Sequence, residues 1–198
     1  ESSEELKEKI PFAIIAYGKL GARELSYQSD LDLVFLYNTH DDNVLIGENK
    51  TLSYEEFSLR LAQRIIHMLG THTSAGTLYE VDVRLRPGGS AGMLVSHFEA
   101  FKKYLHEQAW TFEHQALIKA RLVVGPPSLV NAFEKLREAI LVHERDPILL
   151  VKEIGKMRQK MHEKRFVKNE IKMVKGGLAD IDFIAQYFML LKSSQCKV

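Results

Sequence analysis

Two aspartates one residue apart, Asp30 and Asp32, stand at the head of an otherwise apolar stretch, Leu31-Asp32-Leu33-Val34-Phe35-Leu36-Tyr37. Its β-branched and aromatic content predicts a strand. Residues i and i+2 of a strand project to one face, about 6.6 Å apart, so Asp30 and Asp32 are expected to point together while Leu31 and Leu33 face the core. Two carboxylates so placed repel each other unless a cation lies between them, and hard oxygen ligands suit Mg²⁺ or Mn²⁺. The plainer reading is a pair of solvated aspartates on an edge strand. Against it, Asp is disfavoured in strands, and here two of them interrupt an apolar run. Gly18-Lys19-Leu20-Gly21 lies just upstream. Glycines there let backbone N–H groups approach a phosphate closely, although such a pattern is more often only a turn.

A third carboxylate comes from Leu78 to Leu85, where apolar and polar residues alternate as in a strand. Asp82 falls on the polar face with Glu80 and Arg84. A two-metal site for phosphoryl-type transfer needs about three carboxylates to hold ions ~4 Å apart. Two aspartates on one strand and one on its neighbour meet that need. The competing reading is a solvated Asp82 paired with Arg84. In the expected strand Arg84 and Arg86 share the face of Asp82, and forked guanidinium groups suit phosphate oxygens; structural pairing with the aspartates would serve them equally. Ser29 could hydrogen-bond a phosphate, Lys19 could add charge or simply be solvated, and Lys119 and Arg121 are weaker phosphate candidates. His67, His72, His97, His106 and His114 lack zinc-ligand spacing.

The elements that must position these groups follow from pattern. Residues 3–10 read as a short charged helix. Phe12 to Tyr17 is an apolar run bounded by Pro11 and Gly18, as a buried strand would be, and Asn38 to Asn43 is a polar turn. Ser53 with Glu56 makes a capping box for a helix to Leu69 that stops at Gly70. Gly88 to Gly92 reads as a flexible turn. From Ser96, capped through Glu99, the pattern is helical to the end, broken at Pro126-Pro127 and Asp146-Pro147 and resumed after Gly176-Gly177. Trp110, Phe112, Phe98 and Phe101 are expected to pack in a helical core, and Lys152 to Lys168 to form a solvated face. The expected architecture is α+β: residues 1–125 as a small mixed β-sheet flanked by helices, and residues 126–198 as a helical, bundle-like domain.

Composition sets bounds. The 198 residues are 45% hydrophobic and 27% charged, with a net charge of +1, which are the proportions of a globular domain and give no support to nucleic-acid or membrane-surface binding. No apolar run approaches the ~20 residues of a membrane span. Cys196 is the single cysteine, so no intrachain disulfide can form, which fits a reducing cytoplasm. The N-terminal Glu1-Ser2-Ser3 and the end at Val198 suggest a piece excised from a longer polypeptide, truncated within its helical part.

Gly18-Lys19-Leu20-Gly21-Ala22-Arg23-Glu24-Leu25 followed by Ser29-Asp30-Leu31-Asp32-Leu33 resembles the first block of the bacterial glutamine synthetase adenylyltransferase family, within the DNA polymerase β-like nucleotidyltransferase superfamily. Asp82-Val83-Arg84-Leu85-Arg86-Pro87 with Gly89 and Gly92 resembles its second. Trp110 to Leu117 with Lys119-Ala120-Arg121 resembles its third, and Lys172, Gly176-Gly177, Asp180-Ile181, Phe183 and Gln186 its fourth. Asp182 departs from the expected Glu, and Met173-Val174-Lys175 is atypical. The resemblance implies the nucleotidyltransferase fold. It also implies ATP as substrate, two Mg²⁺ ions on Asp30, Asp32 and Asp82, and a tyrosine hydroxyl of glutamine synthetase as AMP acceptor, with a PII-type nitrogen signalling protein as partner of the full-length enzyme. The family protein carries two related domains, one attaching AMP and one removing it by phosphorolysis; Glu113-His114-Gln115 looks more like the attaching, C-terminal copy. The alternatives are the removing sibling, another nucleotidyltransferase such as an antibiotic-modifying one, or a non-catalytic nucleotide-binding regulatory module.

Overall fold

A computed structural model of the chain describes residues 11–27, 29–39, 43–45, 51–74, 76–164 and 174–193. In chain order the elements are β1 (Phe12–Ala16), the one-turn α1 (Gly18–Gly21), β2 (Leu31–Tyr37), the antiparallel pair β3 (Asn43–Leu45) and β4 (Thr51–Ser53), and α2 (Tyr54–Gly70). A second small pair, β5 (His72–Thr73) and β6 (Gly76–Thr77), leads to β7 (Val81–Asp82), β8 (Val95–His97), α3 (Phe98–Glu107), α4 (Thr111–Leu117) and β9 (Arg121–Val124). The helices α5 (Pro127–Leu141), α6 (Pro147–Lys164) and α7 (Leu178–Lys192) follow. The expected helix over residues 3–10, the turn residues 40–42, Lys172 and Cys196 lie outside the described residues.

The fold is α+β, a small mixed sheet flanked by helices. The chain forms two compact units, one of residues Glu1–Gln108 with Lys119–Leu136 and one of Ala109–Ile118 with Arg137–Val198. The first holds a five-stranded sheet of order β7-β2-β1-β9, with β8 also pairing β2. β1 is buried at all five positions, which is why it reads as an unbroken apolar run and not as an alternation. It pairs antiparallel with β2 from Phe12↔Tyr37 to Ala16↔Leu33. The other side of β2 is shared between β7, parallel to its start, and β8, parallel to its end. Phe12, Ile14, Ala16, Leu31, Leu33 and Phe35 form one face of the core, against Ala62 and the half-buried Leu59, Ile65, Ile66 and Leu69 of α2. That helix starts where expected, with the Glu56 N–H donating to Ser53 Oγ at 3.1 Å.

Three expectations change. The stretch Leu78–Leu85 pairs only at Val81 and Asp82, because the Asp82 carboxylate accepts the backbone N–H of Arg84 at 2.8 Å, a local turn that competes with a ladder. The alternation nevertheless survives: Tyr79, Val81 and Val83 pack on the core. The region after Ser96 is not wholly helical, since Val95–His97 and Arg121–Val124 join the sheet. Each satisfies the open backbone groups of a strand edge, a long-range demand that local periodicity does not report. With Ser96 in a strand, His97 caps α3 instead, its Nδ1 accepting the Glu99 N–H at 3.2 Å. Finally, Phe98 and Phe101 are buried as expected, but Trp110 is 68% exposed.

The second unit is helical. Asp146 Oδ1 accepts the Ile148 and Leu149 N–H groups at 2.7 and 3.0 Å, capping α6 with Pro147 in its first turn. Asp180 accepts the Gly176 N–H at 2.6 Å and pairs with Arg158 of α6, while Gln115 of α4 donates to Gln186 of α7. These bonds tie the helices that the apolar pattern alone leaves unconnected. Among the described residues no helix is long and apolar enough to cross a membrane.

Gly21 packs so closely that a Cβ would lie 1.9 Å from the Lys119 carbonyl oxygen and 2.6 Å from that of Ala16. Gly21→Ala is therefore expected to destabilise the fold by about 3 kcal/mol or more, read by denaturant unfolding. The Gly176 N–H, and then Arg158, hold the Asp180 carboxyl below its usual 3.8. A depressed carboxylate stabilises above its unfolded pKa and loses that effect as pH falls through the folded one. Asp180→Asn should thus lower Tm by on the order of 2 °C at pH 7, and the gap to the unsubstituted protein should close below about pH 3.8.

Candidate active site

Two of the three expected carboxylates, Asp32 and Asp82, meet where β2 begins. Asp32 and Asp82 are register partners on adjacent parallel strands, which sets them side by side on one face about 4.8 Å apart in backbone spacing. Leu31 donates to the Glu80 carbonyl at 2.8 Å, fixing that register one residue earlier. Because Leu31 and Val81 turn into the core, Asp32 and Asp82 must turn the other way. Asp30 lies just ahead of the strand and is exposed. Arg84 reads the whole group: hydrogen bonding to Asp82 and then its charge, with Asp32 and Asp30 adding to it, raise the guanidinium pKa further.

Arg84 grips Asp82 on both oxygens, Nε lying 2.9 and 2.8 Å from Oδ1 and Oδ2, with Nη2 also on Oδ2. The arginine itself is largely exposed. Gly18 closes the other side of the group. It has φ +53°, and a Cβ there would sit 2.3 Å from Asp32 Oδ2, so only glycine allows the α1 backbone to lie this close to the carboxylate.

The glycine turn, in turn, collects the late candidates. Arg121 donates to the Leu20 and Gly21 carbonyls at 3.2 Å, and Lys119 pairs with Glu24 at 3.3 Å. Residues about a hundred positions apart thus converge on α1. Lys19 is exposed on the same turn. Ser29 is buried, its hydroxyl 2.7 Å from that of Ser26. Arg86 does not join the carboxylates. Its guanidinium donates to the Val83, Ser90 and Gly92 carbonyls and holds the glycine-rich 3-10 turn Gly89–Ala91, expected to be flexible, in shape. Sequence reasoning missed Glu24 as the partner of Lys119; no local spacing could signal a contact across that separation.

A family model described as glutamate-ammonia ligase adenylyltransferase matches residues 2–136, a span that contains all of these groups. The chain belongs to this family. A curated relative, the bifunctional glutamine synthetase adenylyltransferase/adenylyl-removing enzyme of Mannheimia haemolytica, is 49% identical over 188 residues, which cover 93% of this chain and 20% of the relative. The chain therefore spans about a fifth of that relative's length.

Whether the carboxylates suit a metal ion can be judged from their chemistry. Paired aspartate oxygens at Asp32 and Asp82 fit a hard divalent cation. Among the described residues no three His, Cys, Asp or Glu side chains are gathered into one ligand set, and Asp82 has Arg84 as counter-ion. The pair fits a cation once the arginine lets go. Arg84→Ala is accordingly expected to tighten Mn²⁺ binding several-fold, followed by titration of the metal's paramagnetic signal; an unchanged or weakened affinity would count against a cation at this pair.

Proposed function

We propose that this chain is the adenylyl-transferring part of its family protein, moving AMP from ATP to a tyrosine hydroxyl of glutamine synthetase and releasing pyrophosphate. The observation that carries the reading is the in-register pairing of Asp32 with Asp82, beside Asp30 and a glycine turn. Asp30, Asp32 and Asp82 would hold two Mg²⁺ or Mn²⁺ ions. When bound, such ions neutralise phosphate charge and favour loss of the hydroxyl proton.

The chain's own groups are assigned as follows. Gly18 lets the α1 backbone lie against Asp32, Lys19 and Lys119 bring positive charge toward a phosphate there, and Gly21 and Ser29 shape the loops beside it. Arg84 moves from Asp82 to the triphosphate as charge arrives there, which suits its exposure and forked donors. Arg86 and Arg121 brace the two loops that carry these residues. A tyrosine hydroxyl has a pKa near 10, so its proton must be taken by a nearby carboxylate or water. The phenolic oxygen bonds to the α-phosphorus, and the bridge to the β-phosphate breaks with its electron pair leaving on pyrophosphate. Attachment is preferred over removal on the stretch Trp110–Leu117, and a PII-type signalling protein and a cytoplasmic setting belong to the same proposal.

Asp32→Asn should abolish AMP incorporation into unmodified glutamine synthetase, by at least about a thousandfold if metal placement is lost, with the unfolding transition unchanged. Retained incorporation refutes the site. Phosphate-dependent release of AMP from the modified protein, lost in the same variant, would assign this chain to removal instead.

A further inference from the structure

Bordered by Ser29 and Asp30 is a cleft of about 320 Å³ whose other lining residues have no part in the preceding roles. Tyr27, Ser29 and Asp30 line one side and Leu78, Tyr79 and Glu80 the other, with Thr77 at the rim. Its walls are anchored. Leu31 donates to the Glu80 carbonyl at 2.8 Å, and Tyr79 donates to the Leu69 carbonyl, at the end of α2, at 3.0 Å. Its apolar content is open to solvent: Leu78 is 63% exposed and Tyr27 fully so. Tyr27 and Leu78 thus present apolar surface to whatever enters beside Asp30 and Glu80.

The lining chooses among occupants. It contains two carboxylates and no basic side chain, so phosphate groups are repelled. Its aliphatic hydroxyls are engaged, Ser29 with Ser26 at 2.7 Å and Thr77 with His72 Nδ1 at 3.1 Å. Charged carboxylates only accept hydrogen bonds. The carboxylates of Asp30 and Glu80 serve a ring that carries a donating hydroxyl, and the lack of a basic side chain disfavours the triphosphate that a nucleotide brings with its base. The volume is near the lower end for small-molecule pockets, about 300 Å³, enough for one substituted ring.

We propose that this cleft seats the aromatic hydroxyl side chain of the acceptor protein, with Tyr27, Leu78 and Tyr79 against the ring and the carboxylates of Asp30 and Glu80 toward its hydroxyl. The assignment rests on the transfer reading above and makes the cleft the acceptor-specifying part of that site. It separates the two substrates: the triphosphate on the Gly18–Lys119 side of the carboxylates, the acceptor ring on the Glu80 side.

The test is steady-state AMP transfer by the full-length protein, varying glutamine synthetase and ATP separately. Leu78→Arg fills the cleft from an exposed position, and Tyr27→Ala removes a fully exposed ring, so neither threatens the fold. The expected result is a KM for glutamine synthetase raised at least tenfold by Leu78→Arg and several-fold by Tyr27→Ala, with the KM for ATP within twofold. A raised KM for ATP with an unchanged acceptor KM would give the cleft to the nucleobase and overturn the proposal. If Asp32→Asn abolishes incorporation while both cleft variants leave both KM values unchanged, the cleft assignment alone falls. If Asp32→Asn leaves incorporation intact, the transfer reading fails and the cleft assignment falls with it.

Discussion

The short parallel pairing of β2 with β7 sets the geometry of everything chemical in this chain. It is two residues long, Leu31↔Val81 and Asp32↔Asp82, yet it decides which side chains are neighbours. The first pair turns into the core and the second turns out of it, because successive side chains of a strand take opposite faces. Slipping the register by one residue would bury Asp82 and expose Val81. The burial of Val81 and Leu31 is therefore what holds two like charges side by side, against their mutual repulsion.

That arrangement stores electrostatic cost that the protein offsets locally. Arg84 lies over Asp82 through a two-residue turn in which the same carboxylate accepts the arginine's backbone N–H. The turn ends the strand and supplies the counter-ion in one step. Gly18 permits backbone on the other side of the group, where any Cβ would strike Asp32. Asp32 and Asp82 are thus flanked by one arginine and one backbone turn.

A second level of support comes from distant sequence. β9 completes the sheet beside β1 and brings Lys119 and Arg121 to α1, where Arg121 ties the carbonyls of Leu20 and Gly21. The Lys119 carbonyl closes over Gly21, leaving no room for a side chain. The family match over residues 2–136 spans this closed unit, from the glycine turn to the strand that braces it. Helices α4, α6 and α7 belong to the other unit, tied by Arg158–Asp180 and Gln115–Gln186.

Much of this was legible in the residues alone. The unbroken run Phe12–Ala16, the strand Leu31–Tyr37 and the Ser53-capped helix are local patterns, and burial and capping act within a few positions, so periodicity reports them. The parity of Asp32 against Leu31 and Leu33, and of Asp82 against Tyr79, Val81 and Val83, follows from strand pleating and needs no third dimension. Three things only the tertiary structure decided. That Asp82 stands beside Asp32 depends on strand pairing across fifty residues. That Arg84 holds Asp82 while Arg86 braces a loop depends on where the chain turns after β7. That Val95–His97 and Arg121–Val124 are strands depends on open sheet edges elsewhere. In each case the deciding energy comes from hydrogen bonds and packing between segments remote in sequence, which no local spacing encodes.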